Sequence, residues 1–151
     1  MIIETARFGK IEIDKNKIVR FESGLLAFED FTRFVLFDIA ENSDFKWLQS
    51  VEDPHISFLL VDPFTIKPDY YVDLSDQLVE YLGVEAPDDV IIYTTVTVPK
   101  GGLKEATTNL IGPVVINWRN RKGRQIICEK ENNAIKYPLI ANNYKKLSYG
   151  G

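Results

Sequence analysis

Val-Ile-Ile-Tyr-Thr-Thr-Val-Thr-Val, residues 90–98, is nearly all β-branched or aromatic and predicts a β-strand. Similar strand patterns, separated by short polar turns, occur at residues 2–8, 10–14, 17–21, 33–39, 46–51, 56–61, 69–74, 114–118 and 124–130. The stretch 33–39 is apolar on both faces, which is typical of a strand inside a sandwich or barrel. Short strands at regular spacing therefore predict a closed or nearly closed antiparallel barrel.

One short helix is predicted between residues 75 and 83. Ser75 is suited to cap its first turn, and Gly83 is suited to end it in the left-handed conformation. Its apolar face is formed by residues at helical spacing, namely Leu74, Leu78, Tyr81 and Leu82. A shorter helical turn is possible at 28–31. The predicted fold class is all-β with a minor α part: a single-domain, barrel-like antiparallel β fold with one short helix.

The chain has 151 residues, 45% of them hydrophobic and 26% charged, which fits one globular domain. We expect residues 1–143 to form this domain and residues 144–151 to be a frayed tail. No apolar run approaches the roughly 20 residues that a membrane helix needs, and the N-terminus lacks the pattern of a signal peptide. The sequence predicts a cytoplasmic protein without membrane contact, and no feature demands a dimer.

Residues that carry catalysis are scarce. Cys128 and His55 are the only cysteine and histidine, which excludes an internal disulfide and argues against a zinc site. Gly101-Gly102 lacks the order of a phosphate loop, and no serine lies in a Gly-x-Ser-x-Gly elbow. The sequence therefore predicts a protein that is not an enzyme and holds no metal or cofactor. An unfamiliar enzyme that uses His55 with nearby acids is a distant alternative.

Charge is distributed unevenly along the chain. Residues 21–90 contain sixteen acids and three bases, a net −13, whereas residues 91–151 contain three acids and ten bases, a net +7. A field of one sign raises the encounter rate with a partner of the opposite sign. The acidic segment thus predicts a basic partner if enough of its side chains share one face. A solvated acidic surface without a partner is the alternative.

A nucleic-acid-binding barrel is the second functional hypothesis. Trp118-Arg119-Asn120-Arg121-Lys122-Gly123-Arg124 combines four cations with an aromatic ring, as a backbone clamp with a stacking platform would. A solvated hairpin tip explains the same residues. The acidic middle segment and a pI near 5.1 argue against direct nucleic-acid binding.

Several loop stretches are distinctive as a set. They are Ser23-Gly24-Leu25-Leu26-Ala27-Phe28-Glu29, Trp47-Leu48-Gln49-Ser50, Asp62-Pro63-Phe64, and Thr108-Asn109-Leu110 followed by Pro113-Val114-Val115-Ile116-Asn117. In this order they closely resemble the flagellar assembly factor FliW family, from Met1 to about Leu139. One departure is that family members commonly have Gly-x-Pro-Gly-Phe-Glu where this chain has Gly24-Leu25-Leu26-Ala27-Phe28-Glu29.

The resemblance implies a barrel-like β fold, no reaction and no cofactor. It also implies two protein partners: newly made flagellin, and CsrA, a small basic RNA-binding dimer that represses translation of the flagellin messenger. In that family, flagellin-bound protein does not restrain CsrA, whereas protein freed by flagellin secretion does.

Candidate partner contacts come from the distinctive loops and the acidic segment. They are Leu25, Leu26, Phe28, Glu29, Glu52, Asp53, Asp62, Phe64, Asp69 and Asn109. Structural interpretations stand beside these assignments. The apolar residues of the 25–28 loop either cap the core or contact a partner. Asn109 and the Asp-Pro pairs are equally suited to holding turns and buried loop backbone.

Overall fold

We describe the fold from a computed structural model, in which residues 1–41, 43–130 and 133–139 are described. The strands in chain order are β1 (Ile2–Thr5), β2 (Gly9–Glu12), β3 (Ile18–Arg20), β4 (Arg33–Asp38), β5 (Phe45–Ser50), β6 (Ser57–Val61), β7 (Val90–Thr97), β8 (Thr107–Thr108), β9 (Val114–Asn117), β10 (Lys122–Gln125) and β11 (Tyr137–Pro138). The helices are α1 (Pro63–Ile66) and α2 (Asp76–Leu82). Short 3-10 turns lie at Lys15–Lys17, Pro87–Asp89 and Leu103–Glu105.

Seven strands close into a barrel in the order β3-β4-β5-β6-β7-β9-β10, and β10 returns to β3. Six of the joints are antiparallel, whereas β10 and β3 are parallel and share the single register pair Lys122–Arg20. The barrel predicted from the strand spacing is confirmed. Strand β7 is long enough to pair with β9 through Val90–Tyr93 and with β8 through Val96 and Thr97.

The barrel interior is filled by side chains that alternate along each strand, as the pleat requires. Its fully buried members include Val19, Phe21, Leu25, Phe34, Leu48, Leu60, Val114 and Ile116. The rings of Phe21 and Phe34 meet edge to face with centroids 5.6 Å apart, a favoured aromatic geometry. The distinctive apolar stretches of the sequence therefore supply the core.

Three covers shield apolar residues on the outside of the barrel. The β1–β2 hairpin buries Ile3 and Ile13 against Val35 of β4. Helix α2 places Leu78 and Leu82 on Val115 of β9. The third cover is α1 with the β8–β11 pair, where Ile66, Ala106 and Leu139 pack on Val61 of β6. The hairpin predicted around Gly9 is confirmed, with Thr5 paired to Gly9.

Helix α2 begins and ends where the sequence indicated. Its first turn is capped by the Ser75 hydroxyl, which accepts a hydrogen bond from the Leu78 N–H at 3.1 Å. Gly83 follows the last turn with φ +67°, the left-handed conformation that only glycine adopts without strain.

Several predicted elements differ in the structure. Residues 69–74 are not a strand but a loop that packs on the barrel, because Tyr70 is buried and donates its hydroxyl to the Leu110 carbonyl at 2.8 Å. Residues 28–31 form turns and no helix, whereas the unpredicted α1 follows Asp62. The last predicted strand ends at Gln125. The predicted tail at 144–151, and residues 140–143 of the predicted domain, lie outside the described residues.

Candidate functional site

The segment from Gly24 to Asp30, here called the 24–30 loop, contains two residues in the left-handed conformation. Gly24 has φ +66°, and a Cβ added there would stand 2.4 Å from the Glu29 Cα. Ala27 has φ +71°, and the Phe28 N–H donates to the Leu25 carbonyl at 2.8 Å. A positive φ at the third residue with this hydrogen bond is the arrangement of a type II turn, which favours Pro-Gly at its centre. The turn therefore forms here without the family's proline and glycine.

This loop caps the core with some of its apolar side chains and exposes another. Leu25 is only 2% exposed and belongs to the barrel core, and the Phe28 ring lies 5.2 Å from that of Phe58. Leu26 is 47% exposed, while its backbone N–H donates to Gln125 Oε1 at 2.9 Å. Glu29 is exposed as well. This turn therefore caps the barrel core with Leu25 and Phe28 and presents the side chain of Leu26 to solvent.

Glu52 and Asp53 lie in the β5–β6 turn and hold backbone in place. Glu52 Oε1 accepts hydrogen bonds from the N–H groups of Thr32 and Arg33 at 2.8 and 2.9 Å, which ties this turn to the backbone that leads from the 24–30 loop into β4. Desolvation opposes ionisation of Glu52, but the backbone N–H groups of Arg33 and Thr32 outweigh it and keep the pKa of this carboxyl below its ordinary value. Asp53 Oδ1 accepts from the His55 N–H at 2.8 Å.

Asp62 and Asp69 flank the short helix α1, and Phe64 lies within it. Asp62 caps it by accepting the Phe64 N–H at 2.9 Å, and Asp69 forms an ion pair with Lys67 at 3.2 Å. Phe64 is 40% exposed and its ring lies 5.7 Å from that of Tyr70. Phe64 is thus the accessible apolar side chain of this group.

The side chain of Asn109 holds the backbone of the residues that follow it. Its Oδ1 accepts hydrogen bonds from the N–H groups of Ile111 and Gly112 at 3.0 and 3.1 Å. It neighbours Leu110, whose carbonyl accepts the Tyr70 hydroxyl. Hydrogen bonds and ring contacts therefore connect the candidates in two groups: the 24–30 loop with the 52–53 turn, and α1 with the Tyr70 and Asn109 region.

The basic hairpin at 118–124 is held by internal contacts. Arg119 forms an ion pair with the buried Asp89 at 3.1 Å, and the Trp118 indole N–H donates to the Asp88 carbonyl at 2.7 Å. Lys122 and Arg124 lie over the Tyr81 ring, 5.6 and 4.1 Å from its centroid. These contacts favour the structural interpretation of this cluster over a nucleic-acid clamp.

A cleft on the outer barrel wall, lined by polar and apolar residues, was not anticipated from the sequence. It has a volume of about 600 Å³, and its apolar lining includes Ile39, Trp47, Leu59 and Val98. The lining joins residues from four strands and their ends, so only the strand register brings them together. Trp47 pairs with Leu59 across β5 and β6, and Leu59 pairs with Val96 across β6 and β7. Because the sequence does not give this strand register, it did not predict the cleft.

Two features are absent from the described part of the chain. No three histidine, cysteine or acidic residues there are grouped so as to hold a metal ion. No helix there has the length and apolar character needed to cross a membrane.

Fold and surface together define a small closed β-barrel protein that carries exposed apolar side chains on a loop and in a surface cleft. The chain resembles members of a known protein family. Residues 2–139 match the FliW protein family. Flagellar assembly factor FliW of Moorella thermoacetica is 40% identical over 144 residues, covering 95% of this chain and 91% of the relative. The protein of the same name from Treponema pallidum is 37% identical, covering 93% of each chain.

A crystal structure of the flagellar assembly factor FliW superposes with a TM-score of 0.82 at 37% identity, covering 92% of this chain and 96% of that chain. The chain therefore belongs to the FliW family of flagellar assembly factors.

Proposed function

We propose that this protein binds monomeric flagellin and, when free of it, antagonises the translational repressor CsrA in the cytoplasm. Membership of the FliW family across residues 2–139 is the observation that carries the proposal. The protein acts by binding and not by catalysis, without a cofactor and without direct contact to nucleic acid. It is a monomer when free.

The flagellin contact is proposed for the exposed apolar tip of the 24–30 loop. Leu26 is accessible, whereas its neighbours Leu25 and Phe28 anchor the loop to the core. A side chain held out by a rigid turn loses little freedom on binding, which favours affinity. Phe64 is a second exposed apolar candidate on another part of the surface.

Titration of purified monomeric flagellin by calorimetry tests this part. We expect one-to-one binding, and a loss of at least about tenfold in affinity for Leu26→Asp. Leu103→Asp is a matched control, because Leu103 is exposed, apolar and in a different loop. Absence of binding by the unaltered protein would refute the flagellin proposal, and equal loss in both variants would refute the loop as the contact.

The CsrA contact is proposed for the acidic segment, through steering by charge. Part of that charge is already used internally, since Asp38, Asp69, Asp73 and Asp89 form ion pairs with basic residues. Glu29 and Asp30, both exposed on the 24–30 loop, are the acids we propose for the encounter. Glu52 is less suited to substitution, because its carboxylate holds the backbone of Thr32 and Arg33.

Association kinetics at several salt concentrations test the steering. Exposed charges are screened over about 10 Å at 0.1 M salt. We therefore expect CsrA capture to slow with salt, and Glu29→Lys with Asp30→Lys to slow it further. Labelled flagellin messenger should be released from CsrA and should not bind the protein alone. Equal salt dependence for both partners would contradict steering, and direct RNA binding would favour the nucleic-acid alternative.

A further inference from the structure

Three positively charged side chains lie side by side on the barrel wall at its parallel joint. Arg20 of β3 pairs in register with Lys122 of β10 on one side and with Arg33 of β4 on the other. Cross-strand partners share one face of a sheet and lie about 5 Å apart. The neighbouring residues Val19 and Phe34 belong to the barrel core, so the three cations lie on the outer face.

Arg124 extends this group along β10. It follows Lys122 by two positions and therefore lies on the same face. Both side chains lie over the Tyr81 ring, and Arg124 also donates a hydrogen bond to the Ser23 hydroxyl at 3.3 Å. These contacts fix two of the cations before any partner binds, which favours affinity. We define the basic row as Arg33, Arg20, Lys122 and Arg124.

The charges of the basic row are not balanced by ion pairs. None of its four members takes part in an ion pair within the described part of the chain. Two acids lie near its ends, since Glu22 is close to the Tyr81 hydroxyl beside Arg124, and Glu52 is close to Arg33. Like charges at directly opposite positions destabilise a sheet. Arrangements that lower stability without an internal gain are typical of functional sites.

The basic row adjoins the exposed apolar side chain of the 24–30 loop. Arg124 contacts Ser23, just before this loop, and the next residue, Gln125, accepts the Leu26 N–H at 2.9 Å. Arg33 begins β4 just after the loop. Leu26 and the basic row thus form one continuous surface, in which an apolar side chain is bordered by cations. An apolar centre with a charged border is the usual composition of a protein–protein interface.

We propose that the basic row binds the carboxylates of an acidic segment of flagellin, whose apolar side chains lie on Leu26. Arginine guanidinium groups suit this task because they pair with carboxylates through two parallel hydrogen bonds. The choice of flagellin rests on the proposed function, in which CsrA is basic and would be repelled by the row. Nucleic acid is a poorer match, because Lys122 and Arg124 already occupy the Tyr81 ring as a stacking surface.

Charge reversal at the centre of the row tests the contact. Arg20 is exposed, and we expect Arg20→Glu to weaken the binding of purified monomeric flagellin by at least about tenfold. Lys104→Glu is the matched control, because it makes the same change in net charge at an exposed position in the Leu103–Glu105 turn, and it should change affinity less than about twofold. Equal losses in both variants, or full affinity in Arg20→Glu, would overturn the proposal.

Neutralisation of Arg20 separates a contact residue from a structural one. Arg20→Gln removes the repulsion from Lys122 and Arg33, so we expect a higher urea midpoint together with flagellin affinity lowered by at least about threefold. A residue that only supports the fold would lower the midpoint when replaced. A lower midpoint would make Arg20 such a residue and overturn the proposal, as would unchanged affinity.

The dependence of the flagellin complex on salt provides a kinetic test. We expect added salt to speed dissociation from the unaltered protein more than from Arg20→Gln, because charges in direct contact act mainly on dissociation. The nearby Glu22 and Glu52 reduce the field of the row at a distance, so flagellin association should depend less on salt than CsrA capture. Equal acceleration of dissociation in both proteins would contradict a charged contact.

Two other anionic occupants are tested with the protein alone. Binding of labelled single-stranded RNA that is lost in Arg20→Glu would assign the row to nucleic acid. A concentration-dependent dimer in sedimentation that is lost in the same variant would assign it to the acids of a second copy, and either result overturns the proposal. If the unaltered protein does not bind flagellin, the proposed function itself fails, whereas flagellin binding that survives Arg20→Glu refutes the basic row alone.

Discussion

The ring of Phe21 lies directly against the backbone of Gly123, so close that a Cβ added to the glycine would stand 2.5 Å from the ring's Cε1 atom. Both residues are buried at the parallel joint between β3 and β10, where one register pair closes the barrel. The Arg20 N–H donates to the Arg121 carbonyl at 2.8 Å just beside it. The joint thus combines few main-chain contacts with one tightly packed aromatic ring.

Gly123→Ala is expected to lower the free energy of unfolding by about 1–3 kcal/mol, the usual cost of overpacking a core. Chemical denaturation measures it. Gly101→Ala is the control, since a Cβ there meets only the flexible end of the Glu105 side chain. A smaller ring should relieve the clash, so Phe21→Leu combined with Gly123→Ala should cost less than the sum of the two single changes. Strict additivity would contradict this account.

Ala27→Gly is expected to raise the free energy of unfolding by up to about 1 kcal/mol, because Ala27 holds a left-handed conformation that disfavours a side chain. Thermal or urea unfolding provides the measurement. Ala86→Gly serves as comparison, since Ala86 is exposed with φ −145° and gains nothing from glycine. A loss of stability at position 27 equal to that at position 86 would show that the turn is not strained.

Asn109→Ala is expected to lower the free energy of unfolding by about 1–2 kcal/mol, because the N–H groups of Ile111 and Gly112 lose their acceptor. Asn109→Asp keeps an oxygen in place and should lose less. Affinity for flagellin, measured where each variant is folded, should be unchanged in both. Weaker flagellin binding by folded Asn109→Ala would instead make Asn109 a contact residue.

Asp89 is expected to make stability depend on acid pH. Backbone N–H groups of Glu85 and Ala86, with the Arg119 charge, keep the pKa of its carboxyl below the ordinary 3.8. Because the folded pKa is the lower one, this stabilisation is present above the unfolded pKa and is lost as pH falls through the folded value. Urea midpoints from pH 6 down to about pH 2 should therefore fall less steeply in Asp89→Asn.

Asp88→Asn is the control for that series, since the Asp88 side chain makes none of these hydrogen bonds. Parallel curves for the unaltered protein and Asp89→Asn would contradict the role assigned to Asp89.

The elements that sequence reasoning located well are those fixed by local chemistry. Ser75 and Gly83 bound α2 because capping depends on neighbouring backbone alone, and the β-branched run at 90–98 forms β7. The 69–74 stretch has a strand-like composition, but it forms a loop in which Tyr70 is buried and bonded to the Leu110 carbonyl. Composition alone does not reveal this, because the contact joins residues 40 positions apart.

Some residues of the candidate site could likewise be predicted from the sequence, and others could not. Loop residues such as Leu26 stood out because apolar side chains in a glycine turn are unusual. The charge count did not reveal that Glu52 and Asp62 hold nearby backbone, which requires hydrogen-bond geometry. Trp47 and Val98 lie 51 positions apart in sequence, and only the register of the intervening strands brings them to one cleft.

One edge of strand β7 is divided between two neighbouring strands, β9 and β8. Its first half completes the closed wall with β9, and its second half carries the β8–β11 pair as an appendage. Detachment of that appendage would break no joint of the seven-stranded ring. Among the strand pairings of the described residues, the ring is thus closed without the β8–β11 pair, which is attached to it through β7 alone.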